Sequence, residues 1–213
     1  MLKQVYFDNW ASYDDFNLYL SSYTIGTPTP KTEEVEIEGA DGKLDLSDYF
    51  GEVKFENRSL KFNFSCINHP SKFNAIYSKL QNMVHGQKMR ISHDDDKGFY
   101  YIGRVTLNDW ETDKRVGSIT IECDCEPYKY KQNKTIIPIT VNGNKEQIFK
   151  NLRKTVIPTV KTDAEVKVGY NGESYSLSAG TFQMPEIAFK AGDNVLTFEG
   201  NANVIVEYQE AGL

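Results

Sequence analysis

Apolar and polar residues alternate along most of this chain, which is the signature of strands with one buried face. Residues 16–24 alternate and predict a strand, and Gly26, Pro28 and Pro30 then punctuate a loop. Residues 33–38 and 43–46 predict two short strands. The turn between them is Gly39-Ala40-Asp41-Gly42, whose glycines permit positive φ on both sides of Asp41. Residues 52–67 alternate again, but the apolar parity changes between Val53 and Phe55 and the later Leu60, Phe62 and Phe64. That change predicts a bend or bulge near Asn57-Arg58.

One segment departs from the two-residue period. Phe73, Ile76, Tyr77, Leu80, Met83 and Val84 recur at three- and four-residue spacing, which predicts a helix with one apolar stripe. Pro70 suits its first turn, with Asn68 just before, and Gly86 suits its C-terminal cap. A hairpin follows: Lys88 to His93, the tip Asp94-Asp95-Asp96-Lys97-Gly98, and Phe99 to Leu107. The charged tip is expected to be solvated. Residues 115–125 then return as a strand with Ile119, Ile121, Cys123 and Cys125 on one face.

Pro127 to Lys134 is polar and basic and marks a boundary, expected to be a solvated linker strand between domains at 1–130 and 131–213. Beyond it the pattern is all-β. Asn171-Gly172 is a strong two-residue hairpin signal, with Val168 facing Tyr175 and Val166 facing Leu177. A second hairpin is expected with a three-residue loop at Gly200-Asn201-Ala202, pairing Phe198 with Val204 and Leu196 with Val206. The fold class expected is mainly β. An α+β N-terminal domain, an antiparallel β-sandwich with one helix and a β-hairpin, precedes a small β-sandwich.

The chain has 213 residues, a formal net charge of −6 and a pI near 5.2, the wrong balance for a general nucleic-acid binder. Its three cysteines make no disulfide framework, and small core hydrophobes account for them. The N-terminus lacks a signal-peptide apolar core and no run reaches membrane-spanning length, so the chain is expected to fold in a cytoplasm without membrane insertion.

No catalytic, cofactor or metal site is expected. Asp94-Asp95-Asp96 lacks calcium-loop spacing, and His69, His85 and His93 lack metal-motif spacing. The glycines at 39 and 42 precede no helix, so they make no phosphate loop. No Gly-x-Ser-x-Gly elbow is present, and nothing favours paired carboxylates for glycoside hydrolysis. Tyr128-Lys129-Tyr130-Lys131 interleaves aromatic and basic residues but is short for a single-strand binder. Tyr170 and Tyr175 are candidates for stacking on a sugar, although the hairpin register turns Tyr175 towards the core.

Several segments in order carry a resemblance: Gly26-x-Pro28, then Val35-x-Ile37-x-Gly39-x-Asp41-Gly42-x-Leu44-Asp45-Leu46, then Asn57-Arg58-x-Leu60-x-Phe62-x-Phe64. The helix, the charged hairpin and Cys125-Glu126-Pro127-Tyr128 follow. Near the end come Pro185-Glu186-Ile187, Asp193-Asn194-x-Leu196-Thr197-Phe198-x-Gly200 and Val204-x-Val206-x-Tyr208-Gln209-Glu210. In this order they resemble the distal tail protein (Dit) family of siphophages and related prophage elements, over almost the whole chain.

The resemblance implies a belt-like N-terminal domain that assembles as a six-fold ring, and a galectin-like C-terminal sandwich. It implies a virion tail-tip part, made in the bacterial host cytoplasm. The ring would join the tail tube protein to the tail-tip fibre or lysin protein, with a possible receptor-binding protein attached, while DNA passes through the lumen without specific binding. Ring contacts are expected around Phe7 and Trp10 and at the 88–107 hairpin with Asp94, Asp95 and Asp96. Gly39, Asp41, Gly42 and Arg58 are expected to be structural, with Asp41 contacting backbone or a neighbouring subunit. The alternatives are a carbohydrate-binding adhesin acting through the sandwich and a tail-tube subunit. The short C-terminal part argues against the first and the second β-domain against the second.

Overall fold

The computed structural model describes residues 2–47, 49, 51–67, 70–113 and 115–213. The chain divides into two compact units, Met1–Pro127 and Tyr128–Leu213.

The first unit contains β1 (Val5–Phe7), β2 (Trp10–Ala11), β3 (Tyr19–Ile25), β4 (Glu34–Glu36), β5 (Lys43–Asp45), β6 (Arg58–Ile67), α1 (Pro70–Met83), β7 (Lys88–His93), β8 (Phe99–Asp113) and β9 (Val116–Cys125). Its main sheet runs in the order β2-β1-β7-β8-β9-β6-β3. Alternation decides what that sheet buries. Leu60, Phe62 and Phe64 lie opposite Cys123, Ile121 and Ile119, and all six are buried. The three cysteines are buried and free, and burial pushes the Cys125 thiol up to about 12.

The helix covers this core with Phe73, Leu80 and Val84, while Ile76, Tyr77 and Met83 pack at its margin. Trp110 fits between Phe73 and Tyr77, at ring-centroid distances of 6.0 and 5.6 Å. Gly117 makes room for it, since a Cβ there would lie 2.9 Å from Trp110 Cζ2. Beyond the helix Gly86 takes φ +75°, and the Leu107 N–H donates to His85 Nδ1 at 3.0 Å. Asn68 and His69 lie outside the described residues. No bulge marks the parity change: β6 begins at Arg58 and pairs with β9 in unbroken register, while Phe55 upstream makes only an isolated bridge to Pro30.

The second unit contains β10 (Lys129–Lys131), β11 (Thr135–Asn151), β12 (Thr159–Thr162), β13 (Val166–Tyr170), β14 (Glu173–Leu177), β15 (Gly180–Gln183), β16 (Gly192–Tyr208) and β17 (Ala211–Gly212). It is a β-sandwich built on one long ribbon. β11 and β16 pair along their whole lengths, from Thr135 opposite Tyr208 to Asn151 opposite Gly192. The Asn171-Gly172 turn has φ +52° and +87°, and Val166–Leu177 and Val168–Tyr175 pair as the sequence predicts.

The second predicted hairpin does not form. Gly200-Asn201-Ala202 lies inside β16, and Phe198 and Val204 pair with Lys145 and Ile139 of β11. Gly200 sits opposite Gly143, and both have positive φ, +142° and +78°. On one side of Gly200 the free edge of β16 takes β13; on the other it takes β12. Leu196, Phe198, Val204 and Val206 nevertheless share one buried core. The glycines are therefore a corner where the ribbon folds onto itself, a use of strand glycine that resembles a turn in sequence.

The linker strand forms as expected, as β10 over Lys129–Lys131, but it is not solvated: it pairs with β17, and Tyr130 is buried. Lys154 lies over the Tyr130 ring at 4.8 Å and donates to its hydroxyl at 2.6 Å. The Lys131–Glu210 ion pair adds a second tie to the C-terminal segment.

Candidate functional site

β4 and β5 stand apart from both main sheets as a two-stranded arm. Val35 pairs with Leu44, between the Glu34–Asp45 and Glu36–Lys43 pairs. Alternation gives the arm an apolar face of Val35, Leu44 and Ile37 and a charged face of Glu34, Glu36, Lys43 and Asp45. Lys43 Nζ lies 3.3 Å from Glu34 and 3.8 Å from Glu36. The apolar side chains remain 42% (Val35), 49% (Ile37) and 48% (Leu44) exposed, and Tyr49 is more exposed still.

The base of the arm is fixed. Lys31 N–H donates to Lys54 O and Glu56 N–H to Thr29 O, each at 2.8 Å. At the tip Gly39 and Gly42 take φ +84° and +76°, the positive values that the reversal needs. Asp41 is exposed there and makes no hydrogen bond among the described residues. Ser47 secures the far end: its hydroxyl and its N–H donate to Asp45 and hold that carboxyl below its ordinary value. An isolated two-stranded ribbon is marginal in water, and this one is rooted at its base while keeping an apolar face about half exposed among the described residues.

The charged tip of the 88–107 hairpin is less free than its sequence suggests. Asp95 pairs with Lys3 at 2.8 Å and accepts from Tyr23 Oη at 3.0 Å. Lys3 first, then Tyr23, depresses its pKa. Asp94 accepts from the Gln4 N–H at 2.8 Å and from Tyr6 Oη at 3.3 Å, and pairs with Lys97 at 3.1 Å. Burial pushes Asp94 up, but these donors outweigh it and leave the carboxyl below its usual value. The tip is a clasp on the first strand of its own chain.

Phe7 has no exposed surface and packs edge-on to Phe62 at 6.4 Å, so it offers nothing to a neighbour. Trp10 is partly buried against Phe16, at 6.3 Å. Arg58 is buried with its guanidinium 5.6 Å from the Tyr101 ring centroid, a cation–π position at the start of β6. The structure does not gather these residues with Asp94–Asp96 or with the arm into one cluster.

The second unit has an open groove of about 750 Å³ between the β13–β14 hairpin and residues 190–197. Its lining includes Asn171, Glu173, Lys190, Asp193 and Thr197. Tyr170 also lines it, but that ring is buried and its hydroxyl donates to Ala188 O at 2.6 Å. Tyr175 packs at the margin of the core. No exposed aromatic ring is among the described lining residues. No group of three or more metal-ligating side chains occurs among the described residues, and no helix is long and apolar enough to cross a membrane.

No protein-family model matches the sequence, and no curated protein matches it. Among solved structures the chain is similar over its whole length to the Dit protein of phage SPP1, described as a paradigm of the hub adsorption apparatus in phages infecting Gram-positive hosts. That likeness covers 100% of both chains at 15% identity, with a TM-score of 0.73. A conserved protein of unknown function from Pseudomonas aeruginosa PAO1 matches 90% of this chain at 12% identity, with a TM-score of 0.29. The first likeness establishes a shared fold, across both units.

Proposed function

We propose that this chain is a structural subunit of a phage or prophage tail tip. It assembles as a six-membered ring that joins the tail tube to the tail-tip fibre or lysin protein and the receptor-binding apparatus, with no catalysis of its own. The observation that carries this reading is the whole-length correspondence with the SPP1 hub protein. A tail-tube subunit would need only the first unit. DNA passes through the lumen without specific binding, in keeping with a net charge of −6. The ring is built in the host cytoplasm and resides at the virion tip.

The contact surface in this reading is the β4–β5 arm rather than Phe7 or the acidic tip. A heterologous contact, in which one surface meets a different surface of the next copy, closes into a ring when its rotation permits. The arm supplies one surface. The exposed cross-strand pair Ile67–Val116, at the end of β6 and β9, supplies an apolar patch on the same unit to receive it.

Immunogold labelling of particles that carry an epitope on this chain tests the assignment. Gold at the distal tip alone is expected. Gold along the whole tube would favour the tail-tube alternative, and particles without gold would overturn the assignment.

A further inference from the structure

β11 presents an unusual edge. Its 17 residues pair on one side with β16, and no described strand pairs with the other side. Pro138 lacks an N–H, and sheet prolines turn that missing donor away from the ladder. The even-numbered residues of β11 therefore direct their backbone groups towards the unpaired edge. Side chains confirm this direction. The Thr140 carbonyl accepts from Lys145 Nζ at 3.2 Å, and the Ile148 carbonyl from Gln147 Nε2 at 3.1 Å. The Lys150 carbonyl accepts from Tyr208 Oη at 2.6 Å and keeps its second lone pair.

The segment around Ile148 is complementary to itself. Laid antiparallel on a second copy with Ile148 on the twofold axis, it places Glu146 opposite Lys150 and Asn144 opposite Leu152. All pairs are even with even, as the outward backbone groups require. Ile148 is 49% exposed beside Val195, its cross-strand neighbour, at 40%. Glu146 and Lys150 are also exposed. Each twofold contact thus gains an Ile–Ile pair and two opposite-charge pairs, the side-chain pairings that stabilise antiparallel ribbons.

We infer that residues 144–152, the end of β11 and the residue that follows it, form a strand-to-strand contact with the same segment of a second copy, joining two second units across a twofold axis. The occupant is a copy of this chain because the register that buries Ile148 also satisfies both charges. The contact lies wholly within the second unit, so its success or failure is separable from that of the ring.

The test uses the full chain carrying Ile148→Cys, in which the introduced thiol is the exposed one because the native three are buried. Facing Cα atoms in such a pair lie about 5.5 Å apart, within disulfide reach. Under a mild oxidant Ile148→Cys should give about ten times more disulfide-linked dimer than Thr140→Cys, whose two copies lie beyond the Gly143 corner on opposite sides of the axis, out of disulfide reach. Adding Glu146→Lys, or Lys150→Glu, should suppress the dimer in each single charge variant. Mixing those two should restore it as a heterodimer, since lysine then faces glutamate at both positions. Equal cross-linking at 140 and 148, or charge variants that cross-link alone as well as when mixed, would overturn the inference. Capture of a foreign strand in place of a second copy would overturn it too.

Discussion

The arm's apolar face allows a quantitative prediction. Full burial of an Ile or Leu side chain contributes about 1.5–3 kcal/mol, and Ile37 and Leu44 keep about half their surface exposed. Covering the remainder at a subunit contact is therefore worth about 1 kcal/mol each. The double variant Ile37→Ser/Leu44→Ser should lose about 2 kcal/mol per contact, a roughly 30-fold weaker association. The fold of the single chain should change little, because exposed substitutions fall within about ±0.5 kcal/mol. Sedimentation velocity over a dilution series reads the first quantity, and urea unfolding below the assembly threshold reads the second. The reasoning fails if the variant assembles at wild-type concentrations. It fails equally if the isolated chain loses 2 kcal/mol or more, which would mean that its own chain covers the face.

Three further outcomes follow from the same geometry. Gly103→Ala should cost about 1–3 kcal/mol in urea unfolding, because its Cβ would lie 2.3 Å from Cys125 Sγ and 2.7 Å from Asp124 O; Gly98→Ala, which meets nothing within 4 Å, should not. Lys134 and Lys161 hold the Glu207 carboxyl down to about 2. A depressed carboxylate contributes stability above its unfolded pKa and loses it as pH falls through the folded value, so acid unfolding should steepen between about pH 4.5 and 2; Glu207→Gln should flatten that limb, as Asp95→Asn should through the Lys3 clasp. Native protein should resist thiol alkylation near pH 8, since Cys123 and Cys125 are buried with raised pKa values; labelling that precedes unfolding, followed by mass, would contradict this.

Much of the fold was legible because its signals are local. The helical stripe from Phe73 to Val84 and the Asn171-Gly172 turn each specify their geometry within about a dozen residues. The misread elements depend on partners far away in the chain. Gly200-Asn201-Ala202 has the composition of a turn, and only Gly143, more than fifty residues earlier, makes it a corner. The acidic tip looks solvated until Lys3, from the segment before β1, and Tyr23, from β3, reach it. Tyr130 looks like a linker residue until β17 and Lys154 enclose it. The candidate contact surface was hidden for a related reason. Alternation shows that Val35, Ile37 and Leu44 share a face, but only the folded chain shows that the described residues leave about half of it exposed.

The central claim is that this chain closes into a ring. Native mass spectrometry of the purified full-length chain across a concentration series tests it most directly. The account predicts a discrete ring of six copies of the 24.3 kDa chain, single or doubled through the β11 contact, which Ile37→Ser/Leu44→Ser reduces to monomer and β11-linked dimer. A monomer alone at every concentration, or a continuous ladder of open oligomers indifferent to the arm, would contradict it.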